Sequence, residues 1–576
     1  MSWVDAKEPT AVQRYVPATK WLRSYRWGDW LRTDVIAGIS VAALLIPESL
    51  AYAGIAGVPP EVGLYAAPLA LIGYAIFGRS GLLVVAASSS VAAVSAAVVG
   101  DIATDEATFA AYTAALAIVA GLVYLAAGLL RLGWIANFLS KAVLEGFIVG
   151  LSISIIIGQL DELLGIELEG ENAIAEFIDA LSQIGDWDRL TVAVGAVSLV
   201  VLFGLGRFAP KIPGALTAVV LAIIAVSVFD LAEEGLLIVG EIPIGLPEFG
   251  LPDIAWSDLS ALLVGSLAIV LIGFSEAYAA ATDIAKKTGD EIDADQELIA
   301  YGVSNVGAGL SAGMVVAGSL SKSKANEASG AKSQLSNVVN ALVVLLTLLF
   351  LAALFENLPL ATLAAVVIHA LWSSSDPRKL APFWQMNRFD FVLGAITLVA
   401  VLLFDTLPAV VIGVVLSLVV LIYRVSFPRS VELGRDPATG EFEDLDLHPE
   451  AERVPGVCVY RFDAPLAYSN AHAFVDGARQ LVRASDPTPH TFVVDGEVMG
   501  GIDSTGLEAL AELVDLLEGV GIKVVLARFH RRAVEEIRRN PDLDDQLLDL
   551  MAHRPSDAAR QARRGSDPPG DAHDAE

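Results

Sequence analysis

A short stretch at residues 318–334, GSLSKSKANEASGAKSQ, places two lysines directly after small polar residues within an otherwise apolar region. Lys322 and Lys324 follow Gly-Ser-Leu-Ser, and Ser319 and Ser321 are residue types that often begin helices. The start of a helix carries unpaired N–H groups and about half a positive charge. A lysine beside such a helix start is suited to binding a small anion.

A second small polar stretch, AASSS at residues 86–90, lies in the corresponding part of the first half of the chain. Ser88, Ser89 and Ser90 predict a second helix start that faces the first. Two positive helix ends and one lysine would together form an anion site. The alternative is that these serines only allow close helix packing and that the lysines extend toward the membrane surface.

Two acidic residues lie inside apolar segments, Glu48 in IPESLAYAG and Glu276 in GFSEAYAAATD. An unpaired carboxylate in a bilayer is costly, so it tends to bind a proton, pair with a lysine or hold a metal cation. We expect Glu48 and Glu276 to couple anion movement to H⁺ or Na⁺. The alternative is a structural pairing with Lys322 or Lys324. Ala280, one turn beyond Glu276, offers no second oxygen ligand, which favours H⁺ over Na⁺.

A third motif, DSTG at residues 503–506, joins a predicted strand to a predicted helix. Ser504 or Thr505 could accept a phosphate, although helix capping by Asp503 or Ser504 is the simpler interpretation. The sequence shows no nucleophile paired with a base, no cluster with metal-ligand spacing and no GxxxxGK[ST] phosphate loop. We therefore predict a protein that is not an enzyme, has no cofactor or metal site, and does not drive transport with ATP.

Membrane-spanning segments must position these residues, because the chain is 55% hydrophobic and only 18% charged. Its mean hydropathy is +0.61, and its apolar blocks approach the ~20 residues that a bilayer requires. We predict fourteen apolar segments. They lie near 34–57, 62–78, 84–100, 107–131, 140–160, 189–206, 213–230, 257–284, 295–309, 321–333, 335–356, 358–373, 388–404 and 407–425.

The charges of the loops predict how these segments cross the membrane. If the N-terminus is cytoplasmic, the even-numbered loops collect Lys and Arg, whereas the odd-numbered loops are acidic, with Arg189 as the exception. Since cytoplasmic loops are enriched in basic residues, fourteen spans of the cell membrane with both termini cytoplasmic fit best. The basic N-terminal segment lacks a cleavage site and is predicted to be retained. Fourteen spans divide into two halves of seven, the second inverted, as in many secondary transporters.

Composition divides the chain into five predicted regions. The stretches VPGVCVYRFD, TFVVDGEV and IKVVLARF predict buried strands, and NAHAFVDGARQLVRA and TGLEALAELVDLLEG predict helices of a small cytoplasmic α/β domain. The regions are an N-terminal segment (1–33), a transmembrane domain (34–425), a linker (426–452), the α/β domain (453–552) and a disordered tail (553–576).

The charge balance and the cysteine count exclude some partners and bonds. A net charge of −30 argues against nucleic acid as a partner, because nucleic-acid binding needs a basic surface. The excess acid lies in loops and the tail, where it forms a hydrated surface or an adaptation to high salt. The single cysteine, Cys458, excludes an intrachain disulfide.

Three stretches of the transmembrane region resemble the SulP anion permeases, whose animal relatives include chloride/bicarbonate exchangers and prestin. They are IPESLAYAGIAGVPPEVGLYAA (46–67), DADQELIAYGVSNVGAG (293–309) and SLSKSKANEASGAKSQL (319–335). In the C-terminal region, VPGVCVYRFDAPLAYSNAHAF and DSTGLEAL resemble a STAS domain, the usual C-terminal partner in this family. The resemblance covers nearly the whole chain to about residue 550.

The resemblance implies a core of spans 1–4 and 8–11, a gate of spans 5–7 and 12–14, a homodimer and an elevator-like movement. The anion would bind between half-helices 3 and 10. Tyr52 matches an aromatic residue that lines this site, and Ser321 and Lys322 match a Ser-Arg pair at its edge. Lys322 keeps the charge of the usual arginine but loses its fork of donors. Glu48 replaces a usual glutamine, which favours proton coupling.

These observations predict a proton-coupled secondary transporter of a small anion, namely sulfate, bicarbonate, chloride or a dicarboxylate. An uncoupled anion exchanger is one alternative, and a nucleobase–cation symporter of similar architecture is another. A third alternative is a sensor or scaffold that contacts a cytoplasmic protein through its STAS domain. In each case the chain is expected to be surrounded by membrane lipid.

Overall fold

The chain divides into two compact units, Met1–Ser417 and Leu418–Glu576. The computed structural model describes residues 15–103, 105–134, 140–209, 212–404, 406–540, 543–552 and 555. The start of the predicted N-terminal segment and nearly all of the predicted tail lie outside the described residues. The first unit is mainly helical, and the second combines a six-stranded sheet with helices.

Each of the fourteen predicted apolar segments contains a helix. The first half comprises α1 (Ala18–Ser24), α2 (Trp27–Ile55), α3 (Pro60–Phe77), α4 (Ser89–Gly100), α5 (Glu106–Leu129), α6 (Lys141–Gly158), α7 (Leu160–Leu164), α8 (Ala173–Ser182), α9 (Arg189–Phe208) and α10 (Gly214–Phe229). The second half comprises α11 (Leu259–Thr288), α12 (Ala294–Leu310), α13 (Leu320–Ala328), α14 (Leu335–Leu346), α15 (Leu360–Trp372), α16 (Ala381–Met386), α17 (Arg388–Leu403) and α18 (Thr406–Ser426). A π-turn and a 3₁₀ turn, Thr347–Leu351 and Ala352–Phe355, extend α14.

Seven helical stretches among the described residues are long and apolar enough to cross a membrane. They are Trp27–Ile55, Pro60–Phe77, Thr108–Leu129, Lys141–Leu164, Arg189–Phe208, Trp256–Thr288 and Leu335–Phe355. Shorter apolar helices occupy other predicted spans, among them Ser89–Gly100 and Gly214–Phe229. The architecture agrees with a polytopic membrane protein, while the count of fourteen crossings and the inverted repeat stay predictions.

Glycines allow the helices of the first unit to approach each other closely. A Cβ on Gly121 of α5 would lie 2.8 Å from the carbonyl oxygen of Gly302 in α12, and a Cβ on Gly302 would lie 2.8 Å from that of Gly121. A Cβ on Gly146 of α6 would lie 2.1 Å from the carbonyl oxygen of Gly394 in α17. Small residues at helix interfaces are typical of membrane proteins, in which packing rather than the hydrophobic effect joins the helices.

Two short strands interrupt the helical unit at the two small polar stretches. Strand β1 (Val84–Ala87) leads into α4, and strand β2 (Val316–Ser319) leads into α13. The strands pair antiparallel, with Val84 opposite Ser319 and Ala87 opposite Val316. The prediction of short, interrupted helices at both places is confirmed, whereas the strands and their pairing were not predicted.

The second unit contains a sheet with the strand order β4-β3-β5-β6-β7-β8. Its strands are β3 (Ser430–Arg435), β4 (Phe442–Asp444), β5 (Val457–Phe462), β6 (Thr491–Asp495), β7 (Lys523–Ala527) and β8 (Met551–Ala552). Strands β5 to β8 run parallel to one another, and β3 pairs antiparallel with β4 and β5. The helices are α19 (Ala471–Ala484), α20 (Ser504–Glu518), α21 (Arg531–Arg538) and α22 (Asp544–Leu548).

The core of the second unit explains why the three predicted strands form its centre. They correspond to β5, β6 and β7, and the two predicted helices correspond to α19 and α20. Tyr460, Phe462, Phe474 and Phe492 are fully buried and lie in ring contact. The predicted linker at 426–452 contains β3 and β4, so part of it belongs to the folded sheet.

Candidate functional site

The antiparallel strand pair determines how the two half-helices face each other. Strand β1 ends at Ala87 and β2 ends at Ser319, at opposite ends of a ladder of four residue pairs. Helices α4 and α13 therefore leave the ladder in opposite directions, and the positive end of each helix dipole points back toward it. Three strand steps separate the two helix starts by roughly 10 Å. A gap of this size can hold a small anion between two helix N-termini.

Lys322 extends from one helix start to the other. Its backbone lies in the first turn of α13, yet its side-chain Nζ donates a hydrogen bond to the carbonyl oxygen of Ala87, 3.1 Å away, just before α4. The side chain is only 1% exposed. Lys322 therefore points into the gap rather than toward lipid, as the anion-site prediction requires.

Glu48 pairs with this lysine. Its carboxylate Oε2 lies 2.6 Å from Lys322 Nζ, and its side chain is 6% exposed. Glu48 lies on α2 directly after Pro47, whose missing N–H weakens the helix at this point. Tyr52, one turn further along the same face, places its ring centroid 4.9 Å from Nζ. A cation–π contact at this distance in a buried site adds to the stabilisation of the ammonium group.

Glu276 supplies a second carboxylate on the other side of the site. It lies on α11 and accepts a short hydrogen bond from the hydroxyl of Ser90, which lies in turn 3.1 Å from the hydroxyl of Ser88. Glu276 is half-buried, and Ser88 and Ser90 are buried. The three side chains form a chain of hydrogen bonds at the start of α4.

The predicted serines act in different ways. Ser319 caps α13, because its hydroxyl accepts a hydrogen bond from the Lys322 backbone N–H at 3.4 Å. Ser321 is exposed and bonds to the Ser319 hydroxyl at 3.1 Å rather than capping the helix. Ser88 occupies the capping position of α4, but among the described residues no side chain caps that helix. The predicted helix start at Ser88, Ser89 and Ser90 is therefore present, and within the described part of the chain it has no side-chain cap. The N–H groups at this helix start stay available to an anion.

The charges of the site do not balance. Around Lys322 the described residues place one ammonium group and two carboxylates, those of Glu48 and Glu276. If all three are ionised, these side chains carry a net formal charge of −1, which opposes the entry of an anion. Protonation of one carboxylate makes the site neutral, and protonation of Glu48 in particular frees the ammonium group. The protonation state of Glu48 and Glu276 thus sets the net charge that an arriving anion would meet.

Buried polar side chains fix the segment that precedes and begins β1. The sequence did not reveal these contacts. Glu297, fully buried on α12, accepts hydrogen bonds from the Arg79 backbone N–H and the Tyr74 hydroxyl, both at 2.8 Å. Further buried side chains that bond to residues 80–84 are Ser323, Asn326, Gln334 and Asn337. Since these partners lie more than 200 residues away along the chain, no local pattern indicated them.

In the second unit, the DSTG motif joins the sheet to α20 as predicted. Asp503 caps the helix, and its carboxylate accepts hydrogen bonds from the backbone N–H of Gly506 at 2.8 Å and of Tyr468 at 2.9 Å. Ser504 and Thr505 are both exposed. Capping is thus carried out by Asp503, and phosphate acceptance at Ser504 or Thr505 stays a prediction.

The fold also brings together three potential metal ligands that the sequence did not reveal. Nδ1 of His448 lies 2.6 Å from the carboxylate of Glu443 and 3.1 Å from that of Glu450. These three groups, all at least partly exposed, could hold a metal ion. Their hydrogen bonds to one another also account for the arrangement, and this cluster is separate from the site around Lys322.

Comparisons with known proteins give the chain its family. The model of the sulfate permease family matches residues 31–397, and the STAS domain model matches residues 448–547. The chain belongs to the sulfate permease family. The predicted resemblance is thereby confirmed, and so is the prediction of a helical membrane domain followed by a STAS domain. Members of this family are transporters rather than enzymes.

Several curated relatives match over most of their length. A probable sulfate transporter of Mycobacterium tuberculosis is 35% identical over 539 residues, which cover 92% of this chain and 95% of the relative. The chloroplastic sulfate transporter 4.1 of Arabidopsis thaliana is 31% identical, with 89% of this chain and 76% of the relative covered. This family member is thus an anion transporter.

Solved structures match the fold as well. SLC26A9 aligns with a TM-score of 0.87 at 22% identity, covering 96% of this chain and 93% of the other. The transmembrane domain of a cyanobacterial bicarbonate transporter, BicA, aligns with a TM-score of 0.57 at 25% identity, covering 66% of this chain and 97% of the other. The first match confirms the fold over both units of this family member.

Proposed function

We propose that the protein is a proton-coupled transporter of small oxyanions, with sulfate as its foremost substrate. The names of the relatives at 31–35% identity support sulfate. Sulfate also suits a gap with two helix N-termini and one lysine, because its oxygens can accept hydrogen bonds on several sides. Bicarbonate, chloride and dicarboxylates remain the competing substrates.

The observation that carries the proposal is the 2.6 Å ion pair between Lys322 and Glu48. In this pair the Glu48 carboxylate neutralises the ammonium group of Lys322, which is the positive charge that an anionic substrate would bind. An arriving anion must compete with Glu48, and a proton on Glu48 removes that competitor. The anion and the proton therefore enter together, and both leave when Glu48 ionises and pairs with Lys322 again. Coupling requires no metal ion, in keeping with H⁺ rather than Na⁺ as the coupling ion.

Glu276 has a supporting part in this proposal. Its carboxylate is linked through Ser90 to Ser88 at the start of α4, where the bound anion would lie. A proton on Glu276 would lower the negative charge of the site without freeing Lys322. We therefore assign the main coupling role to Glu48 and a modulating role to Glu276.

We further propose that the protein works as an elevator-type homodimer in the cell membrane with cytoplasmic termini. The helices of predicted spans 1–4 and 8–11 pack mainly on one another, as in the contacts of α12 with α5 and α3. Those of spans 5–7 and 12–14 form a second group, with extensive contacts between α6 and α17 and between α9 and α15. Two groups of this kind suit a movement of one past the other.

Uptake into proteoliposomes tests the proposed function. Full-length protein is reconstituted, the membrane potential is clamped to zero, and labelled sulfate, bicarbonate, chloride and succinate are compared with and without an inward proton gradient. We expect sulfate to accumulate only with the gradient. Exchange that ignores the gradient would indicate an uncoupled exchanger. If no anion moves under either condition, the transporter proposal fails and a role as a sensor gains support.

A further inference from the structure

The connection between α7 and α9 contains an amphipathic helix, α8, whose apolar side is exposed. Ile174, Phe177, Ile178 and Leu181 are 40%, 45%, 60% and 51% exposed. Their spacing of i, i+3, i+4 and i+7 places them in one stripe along the helix. Exposed apolar residues scattered singly are ordinary, but a continuous stripe of four on one short helix indicates a contact surface.

The rest of α8 is firmly held, so the stripe is not the result of a loosely placed segment. Ala173 and Ala180 are 4% and 1% exposed, and α8 packs against α6 and α17. The side chain of Asn172 caps the helix by accepting a hydrogen bond from the Ala175 N–H at 3.0 Å. The indole N–H of Trp187 donates to the carbonyl oxygen of Ala180 at 3.1 Å. These contacts fix which side of α8 turns outward.

The position of α8 along the chain places it at a membrane boundary. The stretches on either side, Lys141–Leu164 and Arg189–Phe208, are both long and apolar enough to cross a bilayer. The 20 residues of the second stretch span ~30 Å as a helix, the full thickness of the hydrocarbon core. Residues 165–188 are therefore confined to one surface of the membrane.

We propose that α8 lies in the interfacial layer of the bilayer with its apolar stripe inserted among lipid acyl chains. An amphipathic helix confined to this depth buries its apolar stripe by facing lipid. Residues 165–188 contain no lysine or arginine, and Glu176 and Asp179 lie away from the stripe. The contact is therefore apolar in origin and does not require anionic headgroups. In this arrangement α8 anchors α6 and α17, against which it packs, at one membrane surface.

Spin labelling of the full-length protein in phosphatidylcholine liposomes tests this placement. Ile178→Cys puts a nitroxide on the stripe, and Asp179→Cys, a partly exposed polar position on the side of α8 away from the stripe, serves as the matched control. The native Cys458 should react little with the label, because it is 2% exposed and burial raises its pKa to about 12. The unsubstituted protein, labelled in the same way, measures this background. Collision rates are measured with oxygen, which concentrates in lipid, and with a nickel chelate, which stays in water.

We expect the label at residue 178 to collide at least several-fold more with oxygen than with nickel, and the label at residue 179 to show the reverse. Nickel access at residue 178 equal to that at 179 would overturn the proposal, because the stripe would then face water. Exclusion of both reagents from residue 178 would also overturn it, since a second protein surface would then cover the stripe. Phe177→Cys repeats the measurement, so that the outcome does not depend on one variant.

Discussion

Replacing Glu48 with glutamine isolates the proposed coupling device. Glu48→Gln keeps the shape of the side chain but removes the charge that lies 2.6 Å from Lys322 Nζ. It therefore imitates a permanently protonated Glu48. We expect the variant to exchange sulfate across the membrane but to lose its response to a proton gradient.

The size of the effect follows from the burial of the pair. Removing one partner of a buried ion pair typically costs about 3–5 kcal/mol, because an uncompensated charge is left behind. The side chain of Lys322 is 1% exposed, so this cost should appear as lower stability of the anion-free variant. Sulfate would then replace the missing carboxylate and recover much of the lost stability. In the wild type, a gradient of one pH unit provides about 1.4 kcal/mol per proton, which supports roughly tenfold accumulation for one coupled proton.

Accumulation of labelled sulfate at zero membrane potential measures the coupling, and thermal unfolding in detergent measures the change in stability. The matched control is Glu327→Gln, the same substitution at an acid that pairs with Lys287 at 2.9 Å outside the site. The control should accumulate sulfate roughly tenfold per pH unit, and Glu48→Gln should not accumulate it at all. Wild-type accumulation by Glu48→Gln would refute the coupling role of Glu48 and direct attention to Glu276.

The remaining predictions concern the anion site, the helix packing and the second unit. Lys322→Ala should abolish sulfate binding in a titration, since it removes the ammonium group that extends between the two helix starts. Gly146→Val should lower the unfolding temperature in detergent strongly, because its Cβ would lie 2.1 Å from a carbonyl oxygen of α17. Asp503→Ala should destabilise the second unit by about 1 kcal/mol through loss of a helix cap, measured by denaturant unfolding of the full chain.

Two of these predictions have an internal control in the chain. Gly158→Val is matched to the packing variant, because a Cβ at Gly158 meets no atom within 4 Å. Equal effects at Gly146 and Gly158 would contradict the packing argument. Ser504→Ala, at an exposed position in the first turn of α20, should leave stability unchanged. For Lys322→Ala, an unchanged sulfate affinity in a protein of normal stability would remove this residue from the site.

The amino-acid sequence by itself determined the features that depend on local composition. The apolar blocks predicted the helices, because a segment in lipid must be apolar over its full length. The small polar stretches at 86–90 and 318–334 predicted interrupted helices, because serine and glycine favour helix starts and close approaches. The stretches around Glu48, Lys322 and the DSTG motif were likewise sufficient to suggest the family, since each is a run of neighbouring residues.

Only the tertiary structure decided which of these residues act on one another. The sequence left Glu48 open to either coupling or pairing with a lysine, and the fold places it against Lys322, 274 positions away. The proposed coupling builds on this pair. The fold likewise brings the Ser90 hydroxyl into hydrogen-bond contact with Glu276 and pairs strand β1 with strand β2. The physical reason is that periodicity and capping are properties of neighbouring residues, whereas an ion pair or a strand pair depends on which helices pack side by side.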